Sequence, residues 1–462
     1  MYFIGRKKEL EDLEKQYRSG HSFVVIYGRR RIGKTALVQE FLKKKHSLYF
    51  LATEENDQQA MHHFQEKLET FCGREVQGNH WLDLFRRFAK EAEKETKVLV
   101  LDEFQYLVQA NPAFASIFQK AWDEILSQSK VMVIICGSYI GMMTRMTLSS
   151  RSPLYGRRTA QIRLAPLPFS EIRKHFREKS FHEVVEMYSV TGGVPKYLEF
   201  FDNTRPLEET ISEVILSKSG FLYEEPNFLL NKEVKEPLNY FSIMKAIAQE
   251  KHKLSEIGAT LGAESSRLTP YLETLRELYL VEKRVPVTET NPEKSRKGLY
   301  SISDLFIRFW FKFVFPYKSE LEMNNREYVL EKLHRNFIDN HVSFVYEEVC
   351  REIFLQLCLS KQIAFKPSLI GAYWNRTEEI DIVAIDRESN RLFAAECKYY
   401  KEGKPVGLDV YMSLLKKCEN RDFSGYELCY GIFSKSGFTP ALREIAREDK
   451  RLLLINEESL LH

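Results

Sequence analysis

The chain has 462 residues, 44% hydrophobic and 29% charged, a balance that excludes a disordered chain and predicts two to four globular domains. Its net charge of +3 neither demands nor excludes a nucleic-acid partner. The seven cysteines never form a Cys-x-x-Cys pair and the eleven histidines form no pair at zinc spacing, so we expect reduced thiols and no structural zinc.

The charge pattern predicts a cytoplasmic protein without a membrane partner. Charged side chains at positions 6 to 8 interrupt the region where a secretory signal would need an apolar run. The most apolar stretch, Leu305–Phe315, contains Arg308 and Lys312 and is much shorter than the roughly 18 residues that a membrane span requires. We expect a buried aromatic helix there instead.

Residues 1 to 230 are predicted to form an α/β domain that ends in an all-helical lid. Up to about residue 165, apolar runs alternate with amphipathic helix patterns, which is typical of a parallel sheet covered by helices. From Ser170, predicted to be a helix N-cap, the chain becomes helical to about residue 230. The predicted strands are Phe23–Tyr27, Ser47–Leu51, Val98–Leu101, Val131–Cys136 and Thr159–Leu164.

A phosphate-binding P-loop is predicted after the first strand. Residues 28–35 match the Walker A pattern G-x-x-x-x-G-K-[ST] at every fixed position and lie between a strand and a helix, as this loop requires. Backbone N–H groups would face the phosphates, Lys34 would bind the β- and γ-phosphates, and the Thr35 hydroxyl would be a magnesium ligand. The alternative is a glycine-rich turn without a ligand. The predicted nucleotide-binding residues are Gly28, Arg29, Arg30, Arg31, Ile32, Gly33, Lys34, Thr35 and Ala36.

Two acids follow the strand at Val98–Leu101, as in a Walker B motif. Asp102 would hold magnesium, and Glu103 would polarise the attacking water as a general base. Without the P-loop, these acids would indicate only the start of a loop. Together the two motifs predict ATP and Mg²⁺ as ligands and ATP hydrolysis as the reaction, with Lys34 and Glu103 as catalytic residues.

The wider pattern resembles the archaeal-type ATPases, a group near the AAA+ and STAND nucleoside triphosphatases. The resemblance implies that Gly5 and Arg6 pack beside the adenine. It also implies that Ser138 reads the γ-phosphate as a sensor and that Pro195 is a lid residue near the nucleotide base. The residues that carry it are Phe3–Arg6, Glu9, Leu10, Gly28–Thr35, Leu101–Leu107, Cys136–Ser138, Pro153–Arg158, Thr191–Leu198 and Asp304–Trp310.

Arg157 stands where this resemblance implies an arginine finger, with Arg158 as the competing residue. A finger that acts between subunits can raise the rate by orders of magnitude and would imply a nucleotide-dependent homo-oligomer. The alternative role of Arg157 is a structural ion pair with an acid.

Residues 231 to 325 are predicted to form a winged-helix domain plus the aromatic helix. Three helix patterns precede two strands, at 281–286 and 298–302, which is the element order of a winged helix. The polar residues of its third helix and of its hairpin predict DNA contact. The alternative is a protein-interaction or lid module, because the basic residues are few. The outward-facing residues are predicted to be Ser265, Ser266, Arg267, Thr269, Lys294, Arg296 and Lys297.

A charged cluster is predicted on a C-terminal hairpin. If Asp386 and Arg391 close its loop, antiparallel pairing places Asp381 opposite Glu396. Because side chains alternate along a strand, Glu396 and Lys398 share one face. Two carboxylates and a lysine in this arrangement predict Mg²⁺ binding and phosphodiester cleavage.

This cluster resembles the D…E-x-K core of the PD-(D/E)XK nucleases, which implies a restriction-endonuclease-like αβ domain over residues 330 to 462. Glu347 matches the helix glutamate that completes the metal shell, whereas Ile380 replaces the expected proline. The alternatives are solvated hairpin charges or a nuclease fold that only binds. The implied metal ligands are Glu347, Asp381 and Glu396, and the implied catalytic residues are Asp381, Glu396 and Lys398.

The motifs together predict an ATP-hydrolysing, DNA-processing enzyme whose C-terminal domain is a Mg²⁺-dependent deoxyribonuclease. The alternative is a STAND-like switch, in which ATP drives assembly and the last domain only binds DNA or a partner. DNA-stimulated ATP turnover with nicking would indicate the first, and nucleotide-dependent assembly without cleavage would indicate the second.

Overall fold

The computed structural model describes residues 3–201, 205–400 and 404–456. No helix in this part of the chain is long and apolar enough to cross a lipid bilayer. The chain divides into two compact units. The first consists of Met1–Leu167, Val194–Glu199 and Phe228–Lys235, and the second of Pro168–Gly193, Phe200–Asn227 and Glu236–His462.

The first unit contains the predicted parallel sheet, with strands in the order β2-β3-β4-β1-β5. Every predicted strand is present, and its ends differ from the prediction by one residue at most. Strands β1, β3 and β4 are buried along their whole length, which is why their sequences are continuously apolar rather than alternating. The elements are α1 (Lys7–Arg18), β1 (Ser22–Tyr27), α2 (Lys34–Leu42), β2 (Ser47–Leu51), α3 (Asp57–Cys72), α4 (Trp81–Lys90), β3 (Lys97–Asp102), α5 (Gln105–Ala110), α6 (Phe114–Glu124), β4 (Val131–Gly137), α7 (Ile140–Met143) and β5 (Ala160–Arg163).

The strand order brings the predicted nucleotide motifs together. Strand β4 pairs with β3 on one side and with β1 on the other, and all three are parallel. Their carboxyl ends therefore meet at one edge of the sheet, where open α/β sheets bind ligands. The P-loop follows β1, Asp102 is the last residue of β3, and Ser138 follows β4.

The predicted helical region after residue 170 is confirmed, but its first helix begins differently. Helix α8 starts at Phe169, so Ser170 is not the N-cap. The carboxylate of Glu352, far along the sequence, accepts the N–H groups of Phe169 (3.0 Å) and Ser170 (2.9 Å) and so replaces a local cap. The helices here are α8 (Phe169–His175), α9 (Phe181–Thr191), α10 (Pro195–Leu198), α11 (Leu207–Ile211) and α12 (Glu225–Glu233).

Three helices and an antiparallel hairpin follow in the predicted order, with Val281 opposite Ile302. The predicted aromatic helix is buried, and the side chain of Asp304 caps it by accepting the N–H of Ile307 at 3.0 Å. The winged-helix assignment itself stays a prediction. The elements are α13 (Pro237–Ala248), α14 (Leu254–Leu261), α15 (Ser265–Glu277), β6 (Val281–Arg284), β7 (Leu299–Ile302), α16 (Leu305–Phe313), α17 (Lys318–Glu322), α18 (Arg326–Phe337) and α19 (Ser343–Leu359).

The C-terminal part contains a separate mixed sheet in the order β12-β11-β10-β9-β8. Its β9–β10 hairpin has the predicted register, with Arg391 opposite Asp386 and Ala395 opposite Ile382. The remaining elements are β8 (Leu369–Trp374), β9 (Glu379–Asp386), β10 (Arg391–Lys398), α20 (Leu408–Cys418), β11 (Glu427–Ser434), α21 (Pro440–Glu448) and β12 (Leu452–Ile455). Short 3-10 and π-helical turns lie at Leu126–Gln128, Thr144–Leu148, Ser212–Leu216, Pro292–Lys294, Phe315–Tyr317, Ile338–Val342 and Arg421–Phe423.

Candidate functional site

The P-loop leads from β1 into α2, and steric constraints explain why glycine occupies both motif positions, 28 and 33. Gly33 has φ +91° at the N-cap of α2, a backbone conformation that side chains disfavour. A Cβ atom added to Gly28 would lie 2.5 Å from the carbonyl oxygen of Leu164, the residue after β5. The loop backbone at Gly28 therefore passes too close to Leu164 for this position to carry a side chain.

Lys34 lies inside this loop. Its side chain is buried, and Nζ donates hydrogen bonds to the carbonyl oxygens of Gly28 (2.8 Å) and Arg29 (3.1 Å). Burial lowers the pKa of Lys34, while the carboxylates of Glu103 and Asp102 oppose that shift. The ammonium group is thus held by weak neutral partners that a phosphate could replace.

The two predicted magnesium ligands lie side by side. Thr35 Oγ1 donates to Asp102 Oδ2 at 2.9 Å, and the N–H of Glu103 donates to Asp102 Oδ1 at 2.9 Å. These hard oxygen donors fit a magnesium ion, which prefers carboxylate and hydroxyl ligands. The assignment of the metal to them stays a prediction.

Tyr49 is a third group at this acid, and the sequence motifs did not reveal it. Its hydroxyl donates to Asp102 Oδ2 at 2.5 Å. Burial and the Asp102 carboxylate raise the pKa of Tyr49, so the hydroxyl stays protonated. Only the strand pairing indicates this contact, because β2, which carries Tyr49, pairs with β3, which ends at Asp102.

The predicted general base contacts the predicted sensor. Glu103 has φ +53°, and its carboxylate accepts hydrogen bonds from the Ser138 hydroxyl (2.6 Å) and backbone N–H (3.3 Å). The side-chain amide of Gln105, which the sequence analysis missed, also donates to this carboxylate. Three donors therefore hold Glu103 at the end of β3.

The N-terminal segment and the lid segment both lie next to the P-loop. Arg6 is buried and donates to the carbonyl oxygens of Ile32 (3.2 Å) and Ala165 (2.7 Å), which makes its side chain an internal tether. Pro195 Cγ lies 3.6 Å from a Cβ atom built on Gly33. The adenine contacts predicted for Gly5, Arg6 and Pro195 stay predictions.

The loop arginines differ in exposure. Arg30 is exposed, whereas Arg29 is buried with its guanidinium 5.4 Å from the centre of the Tyr197 ring. That distance is typical of a cation–π contact, here between the loop and α10. Arg31 has φ +67°, and its carbonyl oxygen accepts the N–H of Lys196 at 3.4 Å.

The C-terminal charged cluster converges as predicted. Lys398 Nζ lies 2.6 Å from Glu396 Oε2 and 3.9 Å from Asp381 Oδ2. Asp381 Oδ2 also accepts the N–H of Cys397 at 2.7 Å. A second lysine, Lys417 on α20, donates to Glu396 Oε1 at 2.7 Å and was not predicted. The buried carboxylate of Glu396 is therefore held between two lysines.

The predicted third ligand, Glu347, is not part of a formed metal shell. Burial and the nearby Asp381 raise the pKa of Glu347 to about 8, which favours its neutral form. Across residues 3–201, 205–400 and 404–456, no three carboxylate, histidine or cysteine side chains are grouped closely enough to hold a metal ion. The three-carboxylate shell stays a prediction, and in the structure lysines and a backbone N–H group hold Asp381 and Glu396.

The outward face of α15 is exposed as predicted, whereas Lys297 in the hairpin that follows contacts other residues of the protein. Ser265, Ser266, Arg267 and Thr269 are exposed. Lys297 pairs with Glu289 at 2.7 Å, and its carbonyl oxygen accepts the indole N–H of Trp374 on β8 at 3.3 Å. The hairpin loop therefore lies against the edge of the C-terminal sheet.

Residues 3–201 match a family described as an ATPase domain predominantly from Archaea. Residues 310–408 match a second family, described as archaeal and bacterial proteins of unknown function. The chain is 34% identical over 434 residues to the uncharacterised protein MJECL04 of Methanocaldococcus jannaschii, which spans 94% of this chain and 95% of that relative. The chain belongs to the archaeal-type ATPase family.

Two further comparisons concern smaller regions of this archaeal-type ATPase. It is 46% identical over 44 residues to the uncharacterised ATP-binding protein MJ0423 of Methanocaldococcus jannaschii, or 9% of this chain and 75% of that relative. The Walker-type ATPase PABY2304 of Pyrococcus abyssi aligns with 67% of this chain and 96% of its own at 20% identity and TM-score 0.51. Such identity shows the fold alone. The predicted family is confirmed, and membership supports nucleotide binding and ATPase activity.

The position of Arg157 in the archaeal-type ATPase rules out a finger in the chain's own nucleotide site. It lies before β5, where Thr159 N–H bonds to Phe23, at the amino edge of the sheet. About 16 Å of β1 separates Phe23 from Gly28, more than an arginine side chain spans. Arg157 also forms a bidentate ion pair with Asp123, at 2.8 and 2.9 Å. A finger acting on a neighbouring copy, by Arg157 or Arg158, stays a prediction.

We expect Asp123→Ala to lower the free energy of unfolding by about 0.5–1 kcal/mol, because it breaks a half-exposed ion pair. Arg157→Ala should lower it by at least as much, since it also removes the hydrogen bond to the carbonyl oxygen of Pro153. ATP turnover should be retained in both. Chemical denaturation and phosphate release would measure the two quantities. Lost turnover in Arg157→Ala alone, with normal ATP binding, would contradict the structural role and identify a finger between copies.

Proposed function

We propose that this archaeal-type ATPase hydrolyses Mg²⁺–ATP at the P-loop and that the nucleotide controls DNA cleavage by its C-terminal domain. The observation that carries the nuclease part is the convergence of Asp381, Glu396 and Lys398 at the end of the β9–β10 hairpin. Family membership supports the ATPase part. DNA contact by the exposed face of α15 belongs to the same proposal.

At the P-loop, Lys34 would exchange the carbonyl oxygens of Gly28 and Arg29 for phosphate oxygens. Magnesium, held by Thr35 and Asp102, would supply charge neutralisation to the phosphates. Glu103 would accept the proton of the attacking water. In the structure its carboxylate is occupied by Ser138 and Gln105, so catalysis requires these hydrogen bonds to rearrange.

At the C-terminal cluster, Asp381 and Glu396 would hold a divalent cation, which supplies Lewis-acid chemistry when bound. Burial and the neighbouring Glu396 raise the pKa of Asp381 to about 6, a repulsion between acids that a cation would relieve. Lys398 would stabilise the negative charge that develops on the scissile phosphate. Glu347, which interacts with Asp381, would be the third ligand once its carboxyl group is ionised.

A regulatory switch is the second candidate, and the arrangement of Glu396 favours it. Lys398 and Lys417 already neutralise this carboxylate without a metal ion. A carboxylate paired in this way can have a purely structural role. The C-terminal domain would then bind DNA or a partner, and ATP would drive assembly.

Incubation of supercoiled plasmid with Mg²⁺, with and without ATP, tests the proposal. We expect nicking by the wild type, a nucleotide effect that Lys34→Ala abolishes, and strongly reduced nicking by Glu396→Gln. An intact plasmid under every condition would refute the nuclease part. Intact plasmid together with ATP-dependent assembly, measured by light scattering, would establish the switch.

Tyr49→Phe tests the role of Asp102 in metal binding. Removing the hydroxyl leaves Asp102 Oδ2 with one fewer donor, and loss of such an outer partner typically weakens metal affinity about 10-fold or more. We therefore expect about 10-fold more Mg²⁺ to be needed for half-maximal turnover. Tyr17→Phe, whose hydroxyl contacts Thr96, is the control. Equal Mg²⁺ requirements would contradict a supporting role for Tyr49.

A further inference from the structure

A short segment far along the chain belongs to the nucleotide-binding unit. Residues Phe228–Lys235 group with the parallel sheet, whereas the residues before and after them group with the second unit. The segment includes the end of α12. It contains no recognisable nucleotide motif, so the sequence did not point to it.

Glu233 joins this segment to the sensor region. Its carboxylate accepts the backbone N–H of Ile140 at 3.2 Å. Ile140 begins α7 only two residues after Ser138, whose hydroxyl binds Glu103. The carboxylate is therefore fixed beside the residues predicted to read the γ-phosphate.

Two cations act on the same carboxylate. Lys34 and Arg145 both lower the pKa of Glu233, although burial prevails and raises it to about 7. The interaction is mutual, because Glu233 is among the acids that oppose the lowered pKa of Lys34. Above pH 7, Glu233 is thus an anion in the positive field of Lys34 and Arg145, which a triphosphate would also use.

We infer that Glu233 competes with the γ-phosphate of ATP for the field of Lys34 and Arg145 and so sets the preference between ATP and ADP. Two anions in one partly buried field repel each other, so the γ-phosphate would loosen the bond from Glu233 to Ile140. ADP lacks that group and would leave the bond intact. The inference rests on the proposed nucleotide site, and it makes Phe228–Lys235 the segment that responds to ATP.

Glu233→Gln separates this role from simple capping of α7. The amide keeps an oxygen that accepts the Ile140 N–H but removes the charge. We expect the non-hydrolysable analogue adenylyl-imidodiphosphate to bind the variant about 10-fold more tightly than it binds the wild type. This factor is the repulsion between two unit charges about 10 Å apart at an effective dielectric constant near 20. The affinity for ADP should rise by a smaller factor, because its β-phosphate lies farther from the carboxylate than the γ-phosphate of the analogue does.

Calorimetry with both nucleotides would measure these affinities, with Glu236→Gln as the control for the same chemical change at an exposed position. An unchanged ratio of analogue to ADP affinity in Glu233→Gln would overturn the inference. Wild-type protein that binds neither nucleotide would instead overturn the proposed nucleotide site.

Hydrogen exchange on the wild type tests the same inference without a variant. We expect faster exchange of the Phe228–Lys235 amides and of the Ile140 N–H with the analogue than with ADP. Equal exchange in the two complexes would also overturn it.

Discussion

Glu103→Gln is expected to slow ATP hydrolysis about 100- to 10,000-fold, the usual contribution of a general base. Glutamine has the same shape and still accepts hydrogen bonds from Ser138, but it does not take a proton from water. ATP binding should remain, because Lys34 and Thr35 are unchanged. Phosphate release at saturating ATP and calorimetric binding would measure the two effects separately.

Glu93→Gln is a suitable control, since Glu93 is exposed in the turn before β3. It should hydrolyse ATP at the wild-type rate. Hydrolysis by Glu103→Gln within about threefold of the wild type would contradict the assignment of Glu103, because loss of a true base costs far more.

Glu396→Gln is expected to reduce DNA nicking about 100- to 1,000-fold, as for loss of one electrostatic group in an active site. The amide lacks the negative charge that a divalent cation needs. It keeps an oxygen that can accept from Lys398 or Lys417, whereas alanine would leave two lysines facing each other around a buried gap. Glutamine is therefore the more informative substitution.

Glu388→Gln, in the exposed loop at the far end of the same hairpin, is the matched control. It should nick plasmid as the wild type does. Circular dichroism would verify that both variants are folded. Wild-type nicking by a folded Glu396→Gln protein would refute cleavage at this cluster, even if nicking by the wild type were established.

Local patterns were sufficient for the sheet and for the hairpin register. Within β1, β3 and β4, the runs at 23–27, 98–101 and 131–136 are apolar at every position, as expected for a sheet buried on both faces. The register of β9 and β10 followed from one assumption, that Asp386 and Arg391 close the loop. The first inference uses the composition of single strands, and the second uses a contact between two strands that are adjacent in the sequence.

Apart from Gln105, which lies two residues from Glu103, the missed contacts join partners that are distant in sequence and that only packing brings together. Glu352 caps α8 in place of Ser170, and Tyr49 holds Asp102. Glu233 binds near the sensor from a segment without any motif. No periodicity or spacing encodes such contacts. Lys417 likewise reaches Glu396 from a separate helix, and no motif predicted that ion pair.

The most direct test of the account is calorimetric titration of ATP, in the presence of Mg²⁺, into the wild type and into Lys34→Ala. The P-loop account predicts saturable binding at one site in the wild type. It predicts that Lys34→Ala shows no heat of binding, because the substitution removes the buried ammonium group. Among the described residues, that group is the only buried cation hydrogen-bonded to Gly28 and Arg29. Absence of heat with folded wild-type protein, or equal affinity in the two proteins, would contradict it.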